Sequence, residues 1–413
     1  MDEAKLKLVA ASLRAAGTSL SDAAAALEAA LTPVVVPPPV VVPPVTYLHP
    51  MGFRLAGQSW FNTQWANSSP FKVGANFATG DVWDERFFAD YKALGMTGWR
   101  NLDANCTNSS LITSWAQRRL PTDPQNNSTY IEVSKPEAKP GMAYEWQIDL
   151  CNKMQVDFYC TIPLLADDDY CSNLAKLIHT RLDPKLRCFV TLSNEVWNGM
   201  FAQFNQAIDK GVGLSLHPNK WYAGIQWLIM RSMQVFEIFQ GVVGKTLMGQ
   251  RIIRCIDEQA NLDLYTQGLK AVLPSATLNP TKQSVDCLMT AFYICGFVDG
   301  STVTQASWNA DVDKVISERV TVMKQQQATH GIPFRGCYEF GQGSNTGGTA
   351  LANQPWMKDG YQYLLQKMKA EMTAPCFHYC THSAWGGNAW GLLNGVGSPI
   401  AASPKALGWL AAK

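Results

Sequence analysis

From Met51 onward, short apolar runs alternate with longer amphipathic segments. That rhythm is the signature of repeated βα units, and it restricts the chain to a parallel sheet or barrel covered by helices. Strands are expected at Gly52 to Trp60, Thr97 to Leu102, Gln155 to Leu164, Cys188 to Ser193, Val242 to Gln250, Val285 to Tyr293, Phe334 to Glu339 and Phe377 to Trp385. Helical spacing falls between them, at Asp84 to Leu94, Glu145 to Lys153, Leu174 to Leu182, Phe201 to Lys210, Trp221 to Gln240, Leu262 to Leu273, Val312 to Gln327 and Tyr361 to Met372. Eight strands with interposed helices give a (β/α)8 barrel for residues 51 to 413.

The first fifty residues are of another kind. Apolar and alanine positions at Leu6, Val9, Leu13, Ala16, Leu20, Ala23, Leu27 and Ala30 alternate spacings of three and four, a heptad pattern. Gly17, Thr18 and Ser19 interrupt it, so residues 1 to 32 form one helix or a helix pair suited to oligomerisation or docking. Pro33 to Pro44 repeats proline and valine, an extended semi-rigid spacer within a linker over residues 33 to 50.

Composition narrows the partners. With 34 basic against 33 acidic residues, no electrostatic footprint for nucleic acid or an anionic membrane exists. No apolar run reaches the ~18 residues of a membrane span. Met1-Asp2-Glu3-Ala4-Lys5 does not open a secretory signal, so synthesis in a reducing cytosol is expected. The eleven cysteines then read as buried free thiols, Cys160, Cys188, Cys287, Cys295 and Cys337 standing inside apolar runs.

Two strands end in a lone carboxylate. Thr191-Leu192-Ser193-Asn194-Glu195-Val196-Trp197-Asn198 closes the fourth, and Gly336-Cys337-Tyr338-Glu339-Phe340-Gly341 closes the seventh. In a barrel both tips reach the C-terminal mouth, where active sites sit. Facing carboxyl groups are what glycoside cleavage needs: one protonates the leaving oxygen, the other attacks the anomeric carbon or activates water. The charge on one raises the pKa of the other and keeps the acid protonated. Asn194 and Glu195 are adjacent, so they can share the cleft only if the strand ends or bulges between them.

These motifs resemble the clan A glycoside hydrolases, retaining enzymes on this barrel, and the resemblance runs from Met51 to the C-terminus in element order. It implies that Glu195 is the acid/base, that Asn194 contacts the substrate 2-hydroxyl, and that Glu339 is the nucleophile. It further implies that Arg100, near the end of strand two, holds Glu339, that Tyr293 on strand six hydrogen-bonds it, and that Trp385, with Trp390 in reserve, forms a sugar platform on strand eight. The histidine many members carry on strand three has no counterpart at Pro163-Leu164-Leu165.

Indoles at or just after strand ends, Trp60, Trp65, Trp197, Trp385 and Trp390, suit stacking on pyranose rings, whereas Trp99, Trp146 and Trp227 suit the core. The polar stretch from Asn105 to Pro140 reads as a long loop that builds a cleft. Cys376, His378, Cys380 and His382 alternate along one strand ~6.6 Å apart, too far to converge on one zinc ion. His382 is expected near the cleft. Asp167, Asp168 and Asp169 read as a solvated loop or sugar-contacting rim, and no metal or cofactor is called for.

The expected function is a retaining β-glycoside hydrolase, endo-acting on a polysaccharide such as a bacterial surface glycan, that uses no cofactor. The alternative is a catalytically silent carbohydrate-binding or structural component of a larger assembly. Its support is the first 45 residues, which suit self-association or mounting on something such as a phage virion that acts outside the cell.

Overall fold

Eight strands close the barrel: β1 (Arg54–Gln58), β2 (Gly98–Arg100), β3 (Asp157–Ile162), β4 (Cys188–Leu192), β5 (Ile252–Asp257), β6 (Cys287–Ile294), β7 (Phe334–Gln342) and β8 (Pro375–His378). Each pairs in parallel with its neighbours in the chain, and β1 joins both β8, through Ala56 and Phe377, and β2, through Gln58 and Arg100. The computed structural model describes residues 45–58, 68–124, 126, 139, 141–260, 263–344 and 346–413. The expected helix or helix pair of residues 1 to 32 and most of the proline-rich linker lie outside the described residues, as do Trp60 and Trp65.

Alternation along the strands separates two cores. Inward side chains, among them Ala56, Tyr159, Phe189, Ile253, Met289 and Phe377, form their own buried cluster inside the barrel. The Tyr159 and Phe189 rings stack with centroids 6.0 Å apart, and Phe377 meets Tyr159 edge-on at 4.9 Å. Gly98 admits Phe377, since a Cβ there would stand 3.1 Å from its ring. Truncating such a ring costs about 3–5 kcal/mol. Outward side chains pack beneath the helices in a larger cluster.

The helices begin where the sequence supplies caps. Asp84 accepts the backbone N–H of Arg86 ahead of Glu85–Leu94, and Asn219 accepts that of Trp221 ahead of Lys220–Val243. Asp167 does the same for Tyr170 at the start of Asp168–Arg181, and Asp168 pairs with Arg231 at 2.6 Å. The three aspartates therefore form a helix start rather than a loop, and their charge suits the N-terminal end of the helix dipole.

The fifth strand departs most from expectation. Val242 and Val243 finish the 24-residue helix Lys220–Val243, Gly244 caps it at φ 85°, and a 3-10 turn over Lys245–Leu247 follows. The strand begins only at Ile252. Strand eight is shorter than expected and stops at His378.

Charge pairs lie where strands start: Arg54 with Asp157 at 2.8 Å, and Arg254 with Asp286 at 2.7 Å. The incoming chain is tied to that same end. Leu48 N–H donates to Lys185 O, and the Arg187 guanidinium sits 4.2 Å from the Tyr47 ring centroid. All eleven cysteines are buried.

Candidate active site

The backbone solves the problem of two adjacent side chains in one cleft. Strand β4 ends at Leu192, after which Ser193 takes φ 66° and Glu195 φ 41°. Left-handed conformations at such residues cost of order 1–3 kcal/mol each and persist where the surroundings hold them. Here Ser193 N–H donates to Ile162 O, Gln203 Nε2 to Asn194 O, and Asn198 N–H to Glu195 O. Asn194 and Glu195 are thereby turned to one side.

A bulge does the equivalent work on β7. Between the pairs Thr290↔Cys337 and Ala291↔Glu339 the register slips by one, leaving Tyr338 as the extra residue. Tyr338 therefore points into the barrel, with its ring 4.9 Å from the Arg100 guanidinium, while its neighbour Glu339 still reaches that same guanidinium.

Arg100 is the hub. It is fully buried; Nη1 donates to Glu339 Oε1 at 2.6 Å and to Gln58 Oε1 at 3.1 Å. Nη2 donates to Asn194 Oδ1 at 2.6 Å and to Asp257 Oδ2 at 3.2 Å. Burial alone would lower the pKa of the guanidinium, but the charges of Glu339 and Asp257 outweigh it and raise the value. The other Glu339 oxygen, Oε2, accepts the Tyr293 hydroxyl. Burial, then the Glu339 charge, push the Tyr293 phenol well up, so it stays a donor.

Glu195 is in a different electrostatic position. Burial and then the charge of Glu339 push its pKa up to about 8, although the Asn198 amide, donating to Oε2 at 2.9 Å, pulls the other way. At neutral pH Glu195 holds a proton while Glu339 lies against a guanidinium. The site can thus deliver a proton from one group and present a carboxylate from the other.

Asp257 belongs to this network and escaped the sequence reasoning, because strand five was placed too early. It closes β5, accepts the Tyr159 hydroxyl as well as Arg100, and burial lifts its pKa to about 6. The signal was present: Ile252-Ile253-Arg254-Cys255-Ile256-Asp257 is again an apolar run closed by a carboxylate. Asn108, from the expected cleft-building loop, accepts Asn194 Nδ2 at 3.0 Å.

The aromatic positions divide. Trp197 is half-buried, and its Nε1 donates to Tyr338 at 3.3 Å. Trp390 packs at 5.4 Å on Tyr379, which meets Tyr293 at 6.3 Å, so it is linked by rings to Glu339. Trp385 instead donates Nε1 to Gly391 O and lies 5.0 Å from the buried Lys405 ammonium. At the end of β8, the position expected for Trp385 is occupied by Tyr379. His382 is corrected as well: it is fully buried, bonds Asp90 at 2.9 Å and packs on Phe87 and Tyr91 of helix Glu85–Leu94, out of reach of a substrate. The chain has turned there, since β8 stops four residues earlier.

No family model and no curated protein matches the sequence. Solved structures do match in fold. An α-L-arabinofuranosidase from Thermotoga maritima superposes with a TM-score of 0.57 at 9% identity, over 88% of this chain and 70% of that one. The chain has the barrel fold of these glycosidases. A family 51 α-L-arabinofuranosidase from Bifidobacterium longum gives 0.50 at 10% identity, over 84% and 70%. A broad-specificity endoglucanase from Bacteroides salanitronis gives 0.47 at 12% identity, over 86% and 92%.

Proposed function

We propose that this chain is a retaining glycoside hydrolase, acting on β-linkages within a polysaccharide by double displacement. The observation that carries the proposal is the unequal treatment of two carboxyl groups at one mouth: Glu339 is held by Arg100 and Tyr293, and Glu195 is kept protonated by burial and by the Glu339 charge. In the first step Glu339 attacks the anomeric carbon while Glu195 gives its proton to the departing glycosidic oxygen. Covalent attachment removes the Glu339 charge, so Glu195, now ionised, can accept a proton from the water that releases the sugar.

The supporting side chains have matching tasks. Arg100 and Tyr293 orient both oxygens of the nucleophile, and their donated hydrogen bonds stabilise it as it regains charge on leaving the sugar. Asn194 gives Oδ1 to Arg100 and one Nδ2 hydrogen to Asn108, which leaves its second hydrogen for the sugar 2-hydroxyl. Trp197 and Trp390 supply ring faces. A glycan of a bacterial surface and an arabinofuranoside-containing polymer are the substrates to try, the latter because the superposable enzymes are named for arabinofuranosides. Residues 1 to 45 would mount the barrel on a copy of itself or on a larger assembly such as a virion. Sizing the protein with and without them tests that reading, and an unchanged oligomeric state with no partner would remove it.

The activity test uses reducing-end release across a polysaccharide panel and turnover of aryl glycosides. The wild type should cleave at least one substrate, and Glu339→Gln should cleave none while keeping its fold. Hydrolysis by the folded Glu339→Gln variant at the wild-type rate would show that the nucleophile is elsewhere.

A further inference from the structure

A cavity of about 570 Å³ lies between helices Lys220–Val243 and Asp263–Val272, outside the network of Arg100, Glu195 and Glu339. It is lined by His217, Tyr222, Gln226, Asp263, Gln267 and Lys270. Helix Asp263–Val272 follows β5, so its first residue, Asp263, stands on the side of the barrel that carries the mouth.

We propose that this cavity is a second glycan-binding site, which holds a sugar unit of the same polymer away from the bond being cut. The inference rests on the glycosidase reading above for the identity of the polymer, but its own geometry is independent. Sugar recognition combines an aromatic face for the C–H side of a ring with donors and acceptors around the hydroxyls. The His217 and Tyr222 rings lie 5.0 Å apart at 32°, both partly exposed. Tyr222 donates its hydroxyl to Asp263 Oδ2 at 3.0 Å, and Gln267 Nε2 donates to Asp263 Oδ1 at 3.2 Å. The phenol ring is thus fixed at its rim while the carboxylate keeps spare lone pairs for hydroxyl donors.

Gln226 is the second, independent observation. It is 6% exposed overall and lines the cavity, so the surface it keeps faces the space a ligand would fill. Its amide offers both a donor and an acceptor, the pair that a sugar diol requires. Lys270, exposed, adds a further donor to the lining.

Affinity electrophoresis tests the site, with native gels containing arabinan, barley β-glucan, xyloglucan or a purified bacterial capsular polysaccharide. At least one polymer should retard the wild type. Tyr222→Ala, with Asp263→Ala as a second variant, should lose that retardation about ten-fold while keeping the wild-type melting temperature and, where an aryl glycoside is cleaved, its kcat/KM. Glu339→Gln should be retarded like the wild type. Equal retardation of the wild type and both folded variants, or no retardation by any polymer, overturns the site. If no substrate is cleaved by the wild type but Tyr222 and Asp263 still govern retardation, the glycosidase reading fails and the binding site stands.

Discussion

Replacing Glu195 by Gln removes the one ionisation on which the division of labour depends, and its consequence for stability can be worked from the structure. The carboxyl is buried beside Glu339, so its pKa in the fold rises from the ordinary 4.5 to about 8. Between those values the folded chain holds the proton and the unfolded chain has lost it. The unfolded state therefore binds fewer protons, and stability falls as pH rises. Below pH 4.5 the group contributes no pH dependence; above pH 8 the whole cost is felt, on the order of 5 kcal/mol. The neutral Gln amide keeps the shape without the titration. Urea unfolding of wild type and Glu195→Gln at half-unit steps from pH 4 to 9 isolates the effect. The stability difference should move in favour of the variant by that amount, mostly between pH 4.5 and 8. A difference that stays flat across this window would mean that Glu195 ionises in the fold as it does in an unfolded chain, and the protonated acid would be lost from the account.

Asn198→Ala removes a donor that favours the ionised form of Glu195, so the alkaline limb of the pH dependence of kcat/KM should move to higher pH; a shift to lower pH would contradict the electrostatics. Arg100→Met leaves Glu339 and Asp257 buried without their cation, a loss of about 3–5 kcal/mol in urea unfolding at neutral pH that adding Asp257→Asn should partly reverse. Gly211→Ala should destabilise by about 1–3 kcal/mol in thermal unfolding, because the new Cβ would stand 2.1 Å from Ala223 O, where helices Ala202–Gly213 and Lys220–Val243 touch.

The barrel was legible because its strands are buried on both faces and separated by amphipathic helices, a pattern that survives almost any local ambiguity. Arg100 was legible only through the resemblance to the clan A hydrolases, since an arginine near a strand end reads equally well as a surface residue. Glu195 and Glu339 were legible as strand ends, but not the way each is aimed: the left-handed turns at Ser193 and Glu195 and the bulge at Tyr338 depend on tertiary hydrogen bonds that no local propensity reports. Strand five failed because helix Lys220–Val243 is apolar nearly all round, so Val242-Val243 looks like the start of a strand, and Asp257 was lost with the register. The C-terminal tip of β8 failed for the opposite reason. Residues 379 to 385 keep the composition of a strand but leave the barrel, which carries His382 to helix Glu85–Leu94 and brings Tyr379, instead of Trp385, beside Tyr293.

The central claim is that Glu339 forms a bond to the sugar. Incubation with an activated 2-deoxy-2-fluoro glycoside of the preferred sugar, followed by intact-mass measurement and peptide mapping, tests it directly. The account predicts one added fluoroglycosyl group, on the peptide carrying Glu339, formed as activity is lost. A label on another residue, or turnover with inversion at the anomeric carbon and no covalent species, would contradict it.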